Sequence, residues 1–270
     1  MKKILFPTDF SDCAAHAFRY VQELASGLGA TVDLLHVFHL PIGDASSVPP
    51  EYIQEMLDDM EAKALEELDS FCADYAGRPA LGSRRAVYGL FTPVEITDHA
   101  QEGGYDLIAM GTKGERGALE KMMGSVTTDV MMKAACPVLA IPGDAEYRPV
   151  GHIAYATDFE PTEEHAVGEL MTLAAKLGAQ VHFAHVNTGS KGGVIEQVAT
   201  EKEYPYQFTD FSVINNPSVL DGLDDYIRQR QIDWLAVYIP RRRLWERLFH
   251  SSFTKKMTFH TGIPLLVFHG

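Results

Sequence analysis

Residues Ile4 to Val37, ILFPTDFSDCAAHAFRYVQELASGLGATVDLLHV, align without a gap with Ile153 to Val186, IAYATDFEPTEEHAVGELMTLAAKLGAQVHFAHV. The pairing sets Thr8-Asp9-Phe10 against Thr157-Asp158-Phe159, Gly29-Ala30 against Gly178-Ala179, and His36-Val37 against His185-Val186. A second ungapped alignment joins Asp106–Gly143 to Asp233–Gly270. Self-similarity on this scale predicts two copies of one structural unit. The expected boundaries are 1–146 and 150–270, with the polar stretch GDAEYRPVG, Gly143 to Gly151, as the linker.

Within the first copy, KILFP is a short apolar run, and the segment from a candidate N-cap at Ser11 to Gly29 has helical periodicity. TVDLLHVF then reads as a buried strand. A long amphipathic helix follows, with Ile53, Leu57, Met60, Ala64, Leu68, Phe71 and Tyr75 on one face. RRAVYGLF, Arg84 to Phe91, is the third expected strand, TPVEITDHAQEGG a helix, DLIAMGT a strand, SVTTDVMMKAA a helix and CPVLAIP a strand. Strands that are apolar throughout and alternate with helices imply a parallel sheet covered on both faces. The second copy keeps this order but lacks room for the long helix, offering only a short candidate around VIEQVATEKE. That face of the second domain is expected to be more open.

The composition is that of a globular chain, with 46% hydrophobic and 22% charged residues among 270. A formal net charge of −14 opposes nonspecific binding to nucleic acid or to an anionic membrane. No apolar run approaches the roughly 18 residues of a membrane span. Pro7 and Asp9 interrupt the opening apolar stretch short of a signal-peptide core, so a cytoplasmic protein is expected. Cys13, Cys72 and Cys136 fit free thiols better than a disulfide framework or a zinc site.

The segment richest in chemistry follows the fourth strand, where Gly111 and Gly114 precede Gly124-Ser125. A glycine at the carboxyl end of a parallel strand allows close backbone approach, and Gly-Ser at a helix start offers amide N–H groups and a hydroxyl to an anion. The same glycines also suit ordinary turns and caps. The pattern matches neither a P-loop nor a GxGxxG turn after the first strand.

The spacing G-x2-G-x9-G-[ST], with the opening ILFPTDFS and the ending CPVLAIP, resembles the universal stress protein family in its tandem two-domain form. The resemblance covers essentially the whole chain. It implies an α/β fold of two tandem five-stranded parallel-sheet domains of adenine-nucleotide-binding, Rossmann-like type. It also implies a pseudo-dimer joined through CPVLAIP and IPLLVFH. The cofactors implied are ATP and Mg2+, with the nucleotide across the carboxyl ends of the strands.

Carried over residue by residue, Pro7, Thr8 and Asp9 match the segment that contacts adenosine, and Val37 matches the apolar residue against adenine. Met110 and Gly111 match the adenine and ribose rim, Gly114 the phosphate turn, and Gly124, Ser125 and Val126 the triphosphate-binding helix entry. A carboxylate accepting from sugar hydroxyls or the adenine amino group, apolar walls, and glycine amides facing phosphate form a coherent set. No catalytic residue and no metal-ligating side chain is expected.

The second copy departs from this pattern. Tyr238, Arg241 and Ser251 align with Gly111, Gly114 and Gly124, and Ala156 with Pro7. Bulky residues there are expected to deny a triphosphate its backbone approach, with Asp158 retained for structure. Arg241, Arg242, Arg243, Arg247, Lys255 and Lys256 surround Trp245 and Phe249, suiting either an anionic ligand or a solvated loop. His36 and His185, at equivalent strand ends, are expected to be structural hydrogen-bonders, and His36 with His39 lacks the carboxylates of a zinc site.

Three functions stay open at this level. The first is an ATP-binding stress-response regulator with little or no turnover. The second is a slow ATP hydrolase or phosphoryl-transfer enzyme. The third is a module that holds an anionic or apolar ligand in the open second domain. Further association into a homodimer is left open.

Overall fold

A computed structural model describes residues 1–41, 49–112, 124–157, 163–189, 210–239 and 262–270. In the first half, β1 (Lys3–Pro7), β2 (Thr31–Phe38), β3 (Leu81–Tyr88), β4 (Leu107–Gly111) and β5 (Val138–Ile141) alternate with α1 (Asp12–Leu28), α2 (Pro50–Phe71), α3 (Thr92–Glu102) and α4 (Ser125–Lys133). The second half contains β6 (His152–Ala156), α5 (Glu164–Leu177), β7 (Gln180–Asn187), β8 (Asp210–Asn215), α6 (Val219–Arg230), β9 (Trp234–Ile239) and β10 (Leu265–His269). All these strands lie in one sheet of order β3-β2-β1-β4-β5-β10-β9-β6-β7-β8.

Every neighbouring pair in that sheet is parallel except the central one. There β5 runs antiparallel to β10, with Val138 opposite Val267, Leu139 opposite Leu266 and Ala140 opposite Leu265. The two terminal strands predicted to join the halves are thus paired directly, which leaves no unpaired strand edge at the junction. The molecule is an α/β fold of two Rossmann-like halves joined edge to edge as a pseudo-dimer.

Side-chain alternation along the strands produces two core layers. Phe6, Phe18, Leu24, Leu68, Tyr155 and Phe268 belong to the layer under α1, α2 and α5. Leu35, Ile108, Met131, Ile227, Leu235 and Val267 belong to the layer under α3, α4 and α6. Helix α1 begins where predicted, because the Ser11 hydroxyl accepts from the Ala14 N–H, 3.2 Å. It ends at Gly29, whose φ of 63° closes the last turn in a left-handed conformation, and Gly178 repeats this after α5 with a φ of 71°.

Three sequence readings need adjustment or fall outside the described residues. The third strand spans Leu81–Tyr88 rather than Arg84–Phe91. Gly89 makes the last bond to β2 through Phe38, and the chain then turns into α3 with Leu90 and Phe91 exposed. Their apolar character extended the apparent strand beyond its ladder. The amphipathic stripe assigned up to Tyr75 is helical to Phe71 and ends in a short 3-10 turn at Ala73–Tyr75. The short helix expected around Val194 lies outside the described residues.

The linker is part of the packing. The His16 Nε2–H donates to the Ala145 carbonyl, 2.6 Å, and the Arg19 guanidinium approaches the other ring nitrogen, 3.4 Å. Tyr147 meets Tyr20 edge to face, with centroids 5.2 Å apart. The buried Trp234 indole N–H donates to the Tyr20 hydroxyl, 2.7 Å, tying β9 of one half to α1 of the other. Burial drives the Tyr20 phenol well above its ordinary pKa, so it stays neutral. Among the described residues no helix is long and apolar enough to cross a membrane.

Candidate functional site

The carboxyl ends of β1, β2 and β4 open into a cavity of about 700 Å³, facing the first turns of α3 and α4. This is where ligands sit in open parallel sheets. Pro7, Thr8, Asp9, Val37, Met110, Gly111, Gly124, Ser125 and Val126 all line it. Gly114, with Lys113 and Arg116, lies outside the described residues.

The floor is set by the turn after β1. Phe10 adopts a left-handed φ of 63°, and its N–H donates to the Thr8 hydroxyl, 3.0 Å. Asp9 is exposed at the rim, where Oδ1 accepts from the Ser11 hydroxyl at 2.6 Å and the Ser11 N–H at 3.2 Å. One carboxylate thus orients the N-cap of α1 while standing at the cavity mouth. Val37 and Met110, both nearly buried, supply apolar wall from β2 and β4.

The start of α4 is held against the end of β4. The Gly124 N–H donates to the Thr112 carbonyl, 2.7 Å, and the Thr127 hydroxyl donates to the Gly111 carbonyl, 2.9 Å. Gly124 is the N-cap and has no side-chain acceptor to occupy the first amides of the helix. Those amides, the partial positive charge of the helix end and the Ser125 hydroxyl suit an anion.

Gly111 has a second reason to be glycine. A Cβ there would lie 3.1 Å from the Cys13 Sγ and 3.2 Å from its carbonyl oxygen. Its missing side chain therefore admits helix α1 close to β4, as well as bordering the cavity.

Several lining residues were not assigned to the site by sequence. His39 Nδ1–H donates to the Gly89 carbonyl, 2.5 Å, and its Nε2 accepts from the Thr92 hydroxyl, 3.0 Å, which joins the end of β2 to the start of α3. Ile96, Met60 and Ala14 complete apolar parts of the wall. The His39–Thr92 contact spans 53 positions, so local spacing carried no signal of it. His36 matches its expected structural role, because Nδ1–H donates to the Thr8 carbonyl at 2.8 Å and the ring stacks on Phe10.

At the equivalent strand ends of the second half, His185 repeats the bond of His36, donating to the Thr157 carbonyl at 2.8 Å. The rest differs. Glu163, buried, stands in register with Ala14 and accepts from the Thr157 hydroxyl at 2.6 Å and the Tyr155 hydroxyl at 3.0 Å. Tyr238, in register with Gly111, is also buried, and its hydroxyl fills the space where Gly270 would carry a Cβ. Asp158, Arg241, Ser251 and the basic cluster lie outside the described residues. No group of three or more potential metal-ligating side chains occurs among the described residues.

Comparison with known proteins adds to this geometry. The universal stress protein family matches residues 1–142, and the chain belongs to that family. The universal stress protein YxiE of Bacillus subtilis is 31% identical over 146 residues, covering 52% of this chain and 97% of its own length. The universal stress protein MJ0577 of Methanocaldococcus jannaschii is 29% identical over 153 residues, covering 52% of this chain and 94% of its own. Each relative therefore corresponds to about half of the chain. A universal stress protein structure from Archaeoglobus fulgidus covers 99% of this chain and 96% of its own with a TM-score of 0.66, and at 17% identity it supports the fold alone.

Proposed function

We propose that the chain is an ATP-binding stress-response regulator with one nucleotide site, in a first domain spanning 1–146. The domain spanning 150–270 is then a degenerate copy without that site. The observation that carries this reading is the convergence of nine residues from separate strands and helix starts on one cavity of about 700 Å³. Its volume lies within the roughly 300–1,000 Å³ of small-molecule clefts. Val37 and Met110 would flank the base, Asp9 would accept from the ribose or the adenine amino group, and the amides after Gly124 with the Ser125 hydroxyl would face phosphate.

Mg2+, where present, would neutralise phosphate charge. It would be held mainly by the phosphate oxygens themselves, with the Ser125 hydroxyl nearby as a hard oxygen donor of the type it accepts. No side chain is assigned the role of base, and the regulator reading expects turnover far below the roughly 10 s⁻¹ of a median enzyme.

Isothermal titration with ATP and Mg2+ tests the site, and one nucleotide per chain is expected. Two equivalent sites, or none, would reject the assignment. A steady-state ATPase rate near the enzyme median would replace the regulator with an enzyme. Mass spectrometry of the purified protein would reveal a different copurified ligand.

A further inference from the structure

At the corner where β2 runs out and α3 begins, the hydrogen atoms can be placed by elimination. A carbonyl oxygen can only accept, so the 2.5 Å bond between the His39 Nδ1 and the Gly89 carbonyl puts a hydrogen on Nδ1. In the neutral ring Nε2 is then an acceptor, and the Thr92 hydroxyl, 3.0 Å away, donates its one hydrogen to it. The Thr92 oxygen is left with lone pairs and nothing to donate. Both residues line the cavity, and among the described residues no group donates to that oxygen.

This corner adjoins the wall assigned to the base. Gly89, which anchors His39, lies against Val37, because a Cβ on it would fall 3.0 Å from the Val37 Cγ1 and would collide with the Glu95 side chain. Thr92 and the buried Ile96 face the cavity from successive turns of α3. The pair is particular to the first half. Continuing the registers of the repeat, Thr188 aligns with His39 and Val219 with Thr92, and a valine side chain has no oxygen to present.

From this arrangement, and resting on the reading that a purine nucleotide sets its base against Val37, we infer that Thr92 and His39 determine which purine the cavity admits. Thr92 is the acceptor for an exocyclic amino group, and His39 is the positioning residue that holds the hydroxyl as an acceptor. Adenine carries an amino group where hypoxanthine and guanine carry a carbonyl oxygen. Against the Thr92 oxygen the amino group forms a hydrogen bond, whereas the carbonyl sets lone pair against lone pair and leaves both atoms unpaired. Apolar walls such as Val37 and Ile96 cannot make this distinction, because the two groups are nearly the same size. A polar atom of fixed hydrogen-bonding sense can, since the wrong partner leaves it unsatisfied.

The test is isothermal titration of the full chain with ATP and with ITP, both with Mg2+, since the two nucleotides differ only along that edge of the base. At about pH 8, where imidazole is neutral, ATP should bind at least about tenfold more tightly than ITP. Thr92→Val keeps the shape and removes the oxygen, so ATP should weaken and the two affinities should come within about threefold of each other. In His39→Asn the amide can still donate to the Gly89 carbonyl, but nothing accepts from Thr92, whose hydroxyl is then free to donate to the ITP carbonyl. ITP affinity should therefore rise at least about threefold, whereas a merely structural His39 would lower both affinities alike. The inference is overturned if the parent binds ATP and ITP equally, if Thr92→Val keeps the parent's preference, or if ITP affinity does not rise in His39→Asn. Absence of ATP binding by the parent would reject the nucleotide assignment and this inference with it, while ATP binding without preference rejects the inference alone.

Discussion

The carboxyl ends of β1 and β4 and those of β6 and β9 begin from related sequences and share one topology, yet they are occupied differently. At the first, Ala14 and Gly111 leave space, and the Thr8 hydroxyl is taken up by its own turn. At the second, Glu163 and Tyr238 occupy the corresponding positions, and the Thr157 hydroxyl is drawn to the Glu163 carboxylate. A cavity on this scaffold is thus defined by side chains left out. The second half also sets an acidic group where the first has a methyl, which makes that end a poor setting for phosphate.

The comparison can be broken most decisively at α4. Gly124→Val should weaken ATP binding by at least about a hundredfold, or about 2.7 kcal/mol, by crowding the free helix amides. Tyr238→Gly should create no second site, because Glu163 and the rest of the altered rim remain. Calorimetric affinity and stoichiometry check both, and normal binding by Gly124→Val would show that the site has been given to the wrong half.

A smaller effect concerns the bond by which the halves differ at their junction. Trp234 has Leu107 as its counterpart, so Trp234→Phe removes a contact that exists on one side only. Leaving the buried Tyr20 hydroxyl without its donor should cost about 1–3 kcal/mol, read as a lower urea midpoint. Stability equal to the parent would mean that the bond contributes nothing net.

Smaller again, Gly111→Ala should cost about 1 kcal/mol by pressing on Cys13. An unchanged urea midpoint would show that α1 yields freely, and that the glycine serves the cavity alone.

The least effect is one of pH. Burial, aided by the charge of Arg85, holds the His99 imidazole below its usual 6.5, whereas Tyr226 occupies the equivalent place in α6. Between the folded and unfolded values the unfolded chain binds more protons. This contribution is therefore fully present above about pH 6.5 and is lost as pH falls from there towards the lower folded value. His99→Tyr should lose less thermal stability than the parent between about pH 7.5 and about pH 5.5. Parallel pH profiles would remove His99 from the account.

Much of the fold was legible because buried parallel strands are apolar along their whole length and the repeat supplied a second reading of each element. The exception, β3, shows the limit of that signal. Leu90 and Phe91 are apolar but exposed, and nothing local distinguishes them from Val87. The lining of the candidate cavity was legible where family spacing marked it, apart from Gly114, which lies outside the described residues. What escaped depends on contacts between distant positions. His39 with Thr92 and Cys13 with Gly111 come together only after β2 and β4 are laid beside β1. Glu163 was visible in the alignment as a replacement for Ala14, but its significance needed the two hydroxyls that converge on it.

The antiparallel meeting of Val138–Ala140 with Leu265–Val267 has an inheritance consequence. In a dimer of identical subunits every substitution appears on both sides of the axis, so one binding cleft cannot be lost while the other is kept. Carrying both halves on one chain lifts that restriction, and each half is free to drift under its own selection. It also makes the union indifferent to dilution, since the partner strand is always held at high effective concentration. The thermal midpoint of such a protein should be the same at nanomolar as at micromolar concentration, where a dissociating pair of subunits would lose stability with each tenfold dilution.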